Sequence, residues 1–248
     1  MSSRPDKAVI ITGSSGGIGS AIVHEFRQAG ILTIGIDQCS ETLSDHFIKM
    51  DLRELVNSTT EQSRLQAAIE KQLDGFGLVG LINNAACQVI GSTDKISLAD
   101  FRRSLDINTS APFLLSQICL ERLAQAHGTI VNISSIHAQL TKPGFVAYAT
   151  SKGALETLTR ALAVDLGSRI RVMGIAPAAI STSMLRDGFR DHPEALQQLA
   201  QCHPTRSIGE PADIASLCRF LMLEAPDFLN GSIIPMDGGI GSKLHDPQ

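Results

Sequence analysis

Seven short runs of aliphatic and β-branched residues recur along this 248-residue chain and set its architecture. They are KAVIIT (7–12), ILTIGID (31–37), FIKM (47–50), GLVGLIN (77–83), GTIVNIS (128–134), RIRVMGIA (169–176) and SIIPM (232–236). Several are apolar nearly throughout, as strands covered on both faces must be; a strand with one wet face would alternate. Stretches of helical period lie between them. Residues 17–30 place Ile18, Ile22, Val23 and Phe26 on one stripe and stop at Gly30, suited to a left-handed C′ position. SRLQAAIEKQL, SLADFRRSLDIN, APFLLSQICLERLAQ and AYATSKGALETLTRALAVDLG behave alike. Such alternation implies right-handed crossovers and an open parallel sheet with helices on both faces. No repeat, low-complexity tract or linker interrupts it, so the expectation is one doubly wound domain over 1–248, with about seven strands. The exception is 181–211, irregular and rich in charge, with glycine and prolines. A long insertion at the carboxyl edge of a parallel sheet reads as a lid or substrate loop, here about 183–210.

Composition narrows the function classes. A 43% apolar chain with 19% charged residues can bury a large core, and a net charge of −4 offers no attraction to nucleic acid or anionic membrane. The first apolar run is too short for a signal peptide or a membrane span. The tail SKLHDPQ carries no lipidation or retention signal. Cys39, Cys87, Cys119, Cys202 and Cys218 are odd in number and contain no C-x-x-C. They read as buried free thiols of a reducing compartment, with no disulfide framework and no metal site. The expected location is the cytoplasm.

VIITGSSGGIGSAI (9–22) runs strand, glycine-rich turn, helix. Amides at such a helix N-terminus attract a pyrophosphate, and the glycines let it approach the backbone, although they also serve tight strand–helix packing. The glycines are Gly13, Gly16, Gly17 and Gly19, and no Lys-Ser/Thr follows as in a Walker loop. The placement makes the doubly wound domain Rossmann-type, with a dinucleotide as ligand. The second strand ends at Asp37, where a carboxylate can accept both ribose hydroxyls of an adenosine and repel a 2′-phosphate. Ser15 precedes Gly16, so no basic residue there greets that phosphate. Both features favour NAD over NADP.

The only tyrosine of the chain, Tyr148, stands four residues before Lys152 in VAYATSKGAL. On a helix the two share one face. A free phenol titrates near 10, too high for a base at neutral pH, and a nearby ammonium favours the phenolate. The pair by itself reads rather as a half-buried helix tyrosine with an unrelated surface lysine.

Several motifs in order overturn that reading. TGSSGGIG (12–19), NNAA (83–86), DINTSAPF (106–113), IVNISS (130–135), YATSK (148–152), IAPAAIST (175–182) and MDGG (236–239) together resemble the classical short-chain dehydrogenases/reductases, over nearly the whole chain. The resemblance implies that Tyr148 is the general acid/base, that Ser135 binds the substrate oxygen, and that Lys152 holds the nicotinamide ribose and a positive charge beside the phenol. It also implies that Asn108 anchors a water linking the lysine to solvent. Gly13, Ser15, Gly17, Ile18, Gly19 and Asp37 would contact the cofactor. Asp51 and Leu52 would flank the adenine, Asn83 and Ala85 would support the adenosine side, and Pro177, Ile180 and Thr182 would hold the nicotinamide carboxamide. The sequence departs from the family at Ala86 (usually glycine), Met173 (usually asparagine) and Ala178 (usually glycine), which bears on the nicotinamide-side geometry and the pocket.

The implied reaction interconverts a secondary alcohol and a ketone with NAD(H). The Tyr-x-x-x-Lys spacing fits carbonyl chemistry better than enoyl reduction. Candidate substrate contacts are Gln88, His137, Gln139, Phe145, Ala178 and Met184. Polar groups at His137 and Gln139 favour a sugar or polyol, while His137 is equally readable as a residue bonded to backbone. Alternatives are a 3-oxoacyl, cyclic-alcohol or hydroxysteroid ketoreductase of the same family, or a noncatalytic dinucleotide-binding regulator. The resemblance also suggests a homotetramer built on the helices at 110–127 and 147–167.

Overall fold

The computed structural model describes residues 6–39, 43–190 and 193–244. Seven parallel strands form one sheet: β1 (Asp6–Thr12), β2 (Leu32–Asp37), β3 (His46–Lys49), β4 (Phe76–Asn83), β5 (Thr129–Ile133), β6 (Arg171–Pro177) and β7 (Ile233–Met236). Their order, β3-β2-β1-β4-β5-β6-β7, makes the chain reverse direction across the sheet between β1 and β4. Loops leaving neighbouring strands there part to opposite faces, which opens a crevice at the carboxyl ends.

Ten α-helices accompany the sheet among the described residues: α1 (Gly17–Gln28), α2 (Leu52–Asn57), α3 (Thr59–Gln72), α4 (Leu98–Leu105), α5 (Ala111–Ile118), α6 (Leu120–Gln125), α7 (Val146–Leu166), α8 (Ser183–Gly188), α9 (Pro193–Cys202) and α10 (Pro211–Leu223). Alternate strand residues feed two separate cores. Ala8, Ile10, Ile130 and Val172 pack with Leu65, Leu115 and Leu162 from α3, α5 and α7. Val9, Ile11, Val131 and Met173 face the other way, onto Ile22 and Phe26 of α1 and Ile214 and Leu221 of α10. This two-sided burial is why the strands lack alternation. Met173, which replaces the family's asparagine, is fully buried in the second core.

Local signals set the helix ends. Gly30 takes φ +71 after α1, with Gly30 N–H donating to Arg27 O and Ile31 N–H to Phe26 O, the paired bonds of a Schellman motif. The Ser58 hydroxyl accepts from Glu61 N–H to start α3, and Asp51 accepts from Arg53 N–H to start α2, a helix that the apolar periodicity does not announce. Glu210 and Asp213 form a reciprocal box at the start of α10, with Pro211 in its first turn.

Two expectations are corrected here. The 181–211 segment is mostly helical: Gly188 and Pro193 mark the gap between α8 and α9, which composition alone presents as irregular. Its two ends are tied by a parallel bridge between Ile180 and Gly209. The five cysteines are free, but only Cys119 and Cys218 are buried; Cys39 and Cys202 are exposed. Among the described residues no helix is long and apolar enough to cross a membrane, and no cluster of His, Cys, Asp or Glu could hold a metal.

Candidate active site

One cleft of about 1380 Å³ runs along the carboxyl edge of the sheet, from Asp37 and Asp51 at one end to Phe145 and Lys243 at the other. Small-molecule pockets commonly measure about 300–1,000 Å³, so this one has room for an extended ligand and a second molecule beside it.

At the crossing between β1 and β4 the loops are fixed by one hydroxyl. Thr12 Oγ1 accepts from the amides of both Asn84 and Ala85, at 3.0 Å each, and donates to the Ile82 carbonyl. The Asn84 side-chain amide donates to the carbonyls of Thr12 and Gly13. Sequence reasoning missed both residues as site elements, although each lies inside a motif it used. The glycine turn is shaped by close approach. Gly13 sits at φ +64, and a Cβ on Gly19 would lie 1.9 Å from the Gly13 carbonyl oxygen. A Cβ on Gly17 would come within 3.0 Å of Thr182 Cγ2. Gly13, Ser15, Gly17, Ile18 and Gly19 all line the cleft, as do Asp37, Asp51, Leu52, Ala85, Pro177, Ile180 and Thr182. Asp37 accepts from Ser15 N–H at 3.0 Å and from Cys39 N–H at 3.1 Å, so its carboxylate is held against the glycine turn. Thr182 also caps α8 by accepting from Leu185 N–H. Asn83 lies elsewhere: its side chain donates to Asn132 at 2.8 Å inside the sheet and does not line the cleft. Ala86 takes no left-handed backbone, so the alanine in place of glycine is accommodated without that strain.

Ser135, Tyr148 and Lys152 meet at mid-cleft. Ser135 leads from β5 into a 3₁₀ turn (Ile136–Ala138), and its hydroxyl accepts from His137 N–H. Tyr148 and Lys152 come from α7, one helical turn apart, with Lys152 Nζ 5.8 Å from the Tyr148 ring centroid. Burial pushes the Tyr148 phenol above its ordinary value, against the opposing pull of a hydrogen bond with Ser135. Lys152 is 2% exposed, and burial lowers its pKa from 10.5 to about 7. Its Nζ donates to the Ile133 carbonyl at 2.7 Å. The lowering of the phenol expected from the ammonium is therefore not present in the protein alone. Desolvation dominates, and the lysine turns one of its N–H donors to a backbone carbonyl.

Asn108 lies outside the cleft lining and fully buried, within a π turn (Asp106–Ser110) between α4 and α5. Its amide oxygen accepts from Cys87 N–H at 2.7 Å, and its Nδ2 donates to Cys87 O and to Ser151 Oγ. Ser151 neighbours Lys152, so Asn108 joins the loop after β4 to the helix of the tyrosine and lysine. The wider turn departs from the regular ladder, a device frequent at functional sites.

Of the expected substrate contacts, Gln88, His137, Phe145 and Ala178 line the cleft. His137 stacks on Phe145, with centroids 4.3 Å apart and planes 1° from parallel, and meets Tyr148 edge-on at 5.9 Å. Its Nδ1 pairs with Thr141 Oγ1 at 3.0 Å, so it is not spent on a backbone carbonyl. Burial, aided by the Lys142 charge, lowers the His137 pKa. Gln139 points away from the cleft and donates to Glu156 at 3.2 Å. The Glu156 carboxylate, 3% exposed on α7, also accepts from Ser134 Oγ. It thereby clamps both flanks of Ser135 to the helix of Tyr148, and nothing but its place one turn after Lys152 signalled this. The side chain of Met184 lies outside the described residues.

A glycine turn enters a helix at the crossing point, and a serine, a tyrosine and a lysine from the neighbouring strand end and helix line the same cleft of a doubly wound α/β fold. A family model described as enoyl-(acyl carrier protein) reductase matches residues 13–241. The 7alpha-hydroxysteroid dehydrogenase of Escherichia coli K12 is 32% identical over 252 residues, covering 96% of each chain. The ligand-free aldohexose dehydrogenase of Thermoplasma acidophilum superimposes with a TM-score of 0.90 at 27% identity, covering 98% of this chain and 97% of that one. A 4-hydroxyisoleucine dehydrogenase complexed with NADH gives a TM-score of 0.84 at 28% identity, covering 96% and 100%. The chain belongs to the short-chain dehydrogenase/reductase family.

Proposed function

We propose that this protein interconverts a secondary alcohol and a ketone by hydride transfer with NAD(H), using Tyr148 as general acid/base, on a polyhydroxylated substrate such as a sugar or polyol. The observation that carries the reading is the meeting of Ser135, Tyr148 and Lys152 in one cleft that begins at the glycine turn. The turn fits a dinucleotide: it lines the cleft at the start of α1, where helix amides attract a pyrophosphate, and Cβ atoms on Gly13, Gly17 and Gly19 would press on Ala85, Thr182 and the Gly13 carbonyl. When bound, NAD⁺ supplies the hydride acceptor. In oxidation the phenolate of Tyr148 takes the hydroxyl proton, and Ser135 donates a hydrogen bond to the same substrate oxygen as its charge develops. In reduction the phenol returns that proton. Lys152, protonated, stabilises the phenolate.

Asp37 supports NAD over NADP. Its carboxylate is fixed by two amides at the adenosine end, and a 2′-phosphate there would meet a held negative charge. The family does not choose for it, since another solved relative is described with NADP bound. The Tyr-x-x-x-Lys spacing supports carbonyl chemistry over the enoyl reduction in the family model's description. Exposed Phe113 on α5 and Val164 on α7 support a homotetramer through those helices, although Ala111, Leu115 and Leu123 are core. Light scattering giving a monomer would remove that assembly.

The test is a panel of secondary alcohols with NAD⁺ and NADP⁺, run with Tyr148→Phe. NAD⁺-dependent turnover that falls about 10²–10⁴-fold in the variant, with NADH still bound, supports the reading. A variant that keeps its turnover, or a preference for NADP⁺, overturns the acid/base or the cofactor assignment respectively.

A further inference from the structure

Beside the acid/base centre stands a polar group that the reaction above does not use. His137 adjoins both residues assigned to the carbinol oxygen. Its backbone N–H donates to Ser135 Oγ at 3.2 Å, and its ring meets that of Tyr148 at 5.9 Å with planes 72° apart. The ring is fixed from two further sides. It stacks 4.3 Å from Phe145, and its Nδ1 pairs with Thr141 Oγ1 at 3.0 Å. Phe145 is buried and is braced in turn by Lys142 Nζ, 4.9 Å from its centroid. Among the described residues nothing pairs with His137 Nε2, and the half-buried ring lines the cleft. A side chain held in one orientation with one nitrogen left over is preorganised for a ligand.

The chemistry of that ligand follows from the ring. Burial, aided by the Lys142 charge, holds the imidazole below its usual pKa of 6.5, so near neutral pH it offers an anion no charge. A neutral imidazole carries a proton on one nitrogen and a lone pair on the other. The Thr141 hydroxyl can meet either, so Nε2 donates in one tautomer and accepts in the other. A hydroxyl answers both; a carbonyl, an ether or an ammonium answers only one. Because the ring adjoins the two groups that hold the carbinol oxygen, the hydroxyl it receives belongs to the next carbon and not to a remote end.

We propose, resting on the oxidoreductase reading above, that the substrate is a vicinal diol, and that His137 Nε2 hydrogen-bonds the hydroxyl beside the carbinol and so selects which carbon is oxidised. The hydride leaves the carbinol carbon for NAD⁺, the hydroxyl proton goes to Tyr148, and the neighbouring hydroxyl stays on His137 unchanged. The product is an α-hydroxy ketone. An isolated secondary alcohol would leave Nε2 without a partner.

The test compares cis- and trans-1,2-cyclohexanediol, 1,3-cyclohexanediol and cyclohexanol, in wild type and His137→Phe. Each is assayed for NAD⁺-dependent oxidation and titrated calorimetrically onto the full-length protein with NADH present. Phenylalanine keeps a ring to stack on Phe145 and removes both ring nitrogens. A 1,2-diol should exceed 1,3-cyclohexanediol and cyclohexanol by about 10–100-fold in kcat/KM, the range for a hydrogen bond that leaves a polar group unpaired when unmade. In His137→Phe that preference should disappear while NADH affinity is kept. A purely structural role would lower all the alcohols alike and leave the preference in place. A wild type that treats the 1,2- and 1,3-diols alike, a variant that keeps the preference, or binding of none of the compounds overturns the proposal. The wild-type comparison decides even where the variant does not fold. A 1,2-diol preference in binding, without oxidation of any alcohol, would leave the His137 contact standing and remove the oxidoreductase reading instead.

Discussion

Replacing Lys152 by methionine should stabilise the free protein at neutral pH while abolishing turnover, and the size of the gain should depend on pH. Lys152 is 2% exposed, and among the described residues its ammonium has a single acceptor, the Ile133 carbonyl. Burial brings its pKa from 10.5 to about 7. A lysine whose folded pKa lies below its unfolded one binds fewer protons folded, so its contribution improves as pH rises from 7 to 10.5 and levels off outside that window. At about 1.4 kcal/mol per pKa unit, the buried lysine costs on the order of 4 kcal/mol near pH 7 and about 1 kcal/mol near pH 9.5. Methionine has similar length and no proton, so its packing sets a constant offset that the comparison removes. Urea unfolding of both proteins at a series of pH values measures the difference. The advantage of Lys152→Met over wild type should shrink by about 3 kcal/mol between those pH values. In thermal melts that is roughly 6–12 °C for a chain of this size. A difference that stays constant from pH 7 to 9.5 would refute the reasoning, because it would mean that the ammonium is solvated in the folded protein.

Three further outcomes follow from the site. Gly19→Ala forces a Cβ against the Gly13 carbonyl and should weaken NADH binding about 10–100-fold by fluorescence titration, with about 1–3 kcal/mol lost in stability. Asn108→Ala leaves the Cys87 amide and carbonyl without the Asn108 side chain and should cost about 2–5 kcal/mol in chemical denaturation, along with a fall in kcat. Asp37→Ser should raise kcat/KM for NADP⁺ relative to NAD⁺ by about tenfold or more, the size of one removed charge contact; an unchanged ratio would place the ribose elsewhere.

The sheet was readable because its burial is two-sided. Runs such as AVII in β1 and IVNI in β5 admit no wet face, and the crossover rule then leaves little choice of architecture. The helices α8 and α9 were not readable, since Gly188 and Pro193 interrupt periodicity over elements of six and ten residues. Within the site, motif spacing named residues but not where their side chains point. Asn83 and Gln139 stand in expected positions, yet one turns into the sheet and the other toward Glu156. Thr12 and Asn84 went unremarked because a short polar residue beside a glycine turn carries no periodic signature, and their work is done across 70 residues of sequence. Lys152 shows the same limit: spacing put it beside the tyrosine on α7, while its carbonyl partner lies on β5.

The buried Glu156 carboxylate has a wider consequence. By gripping Ser134 and Gln139 it makes the strand end of Ser135 and the helix of Tyr148 one mechanical unit, and among the described residues none of its partners belongs to the segment between Ile180 and Gly209. That segment is closed on itself by its own bridge. Away from Thr182, which packs on Gly17, and Thr205, which bonds Gly238, its length and charge can therefore drift over generations without loosening the joint between Ser135 and Tyr148.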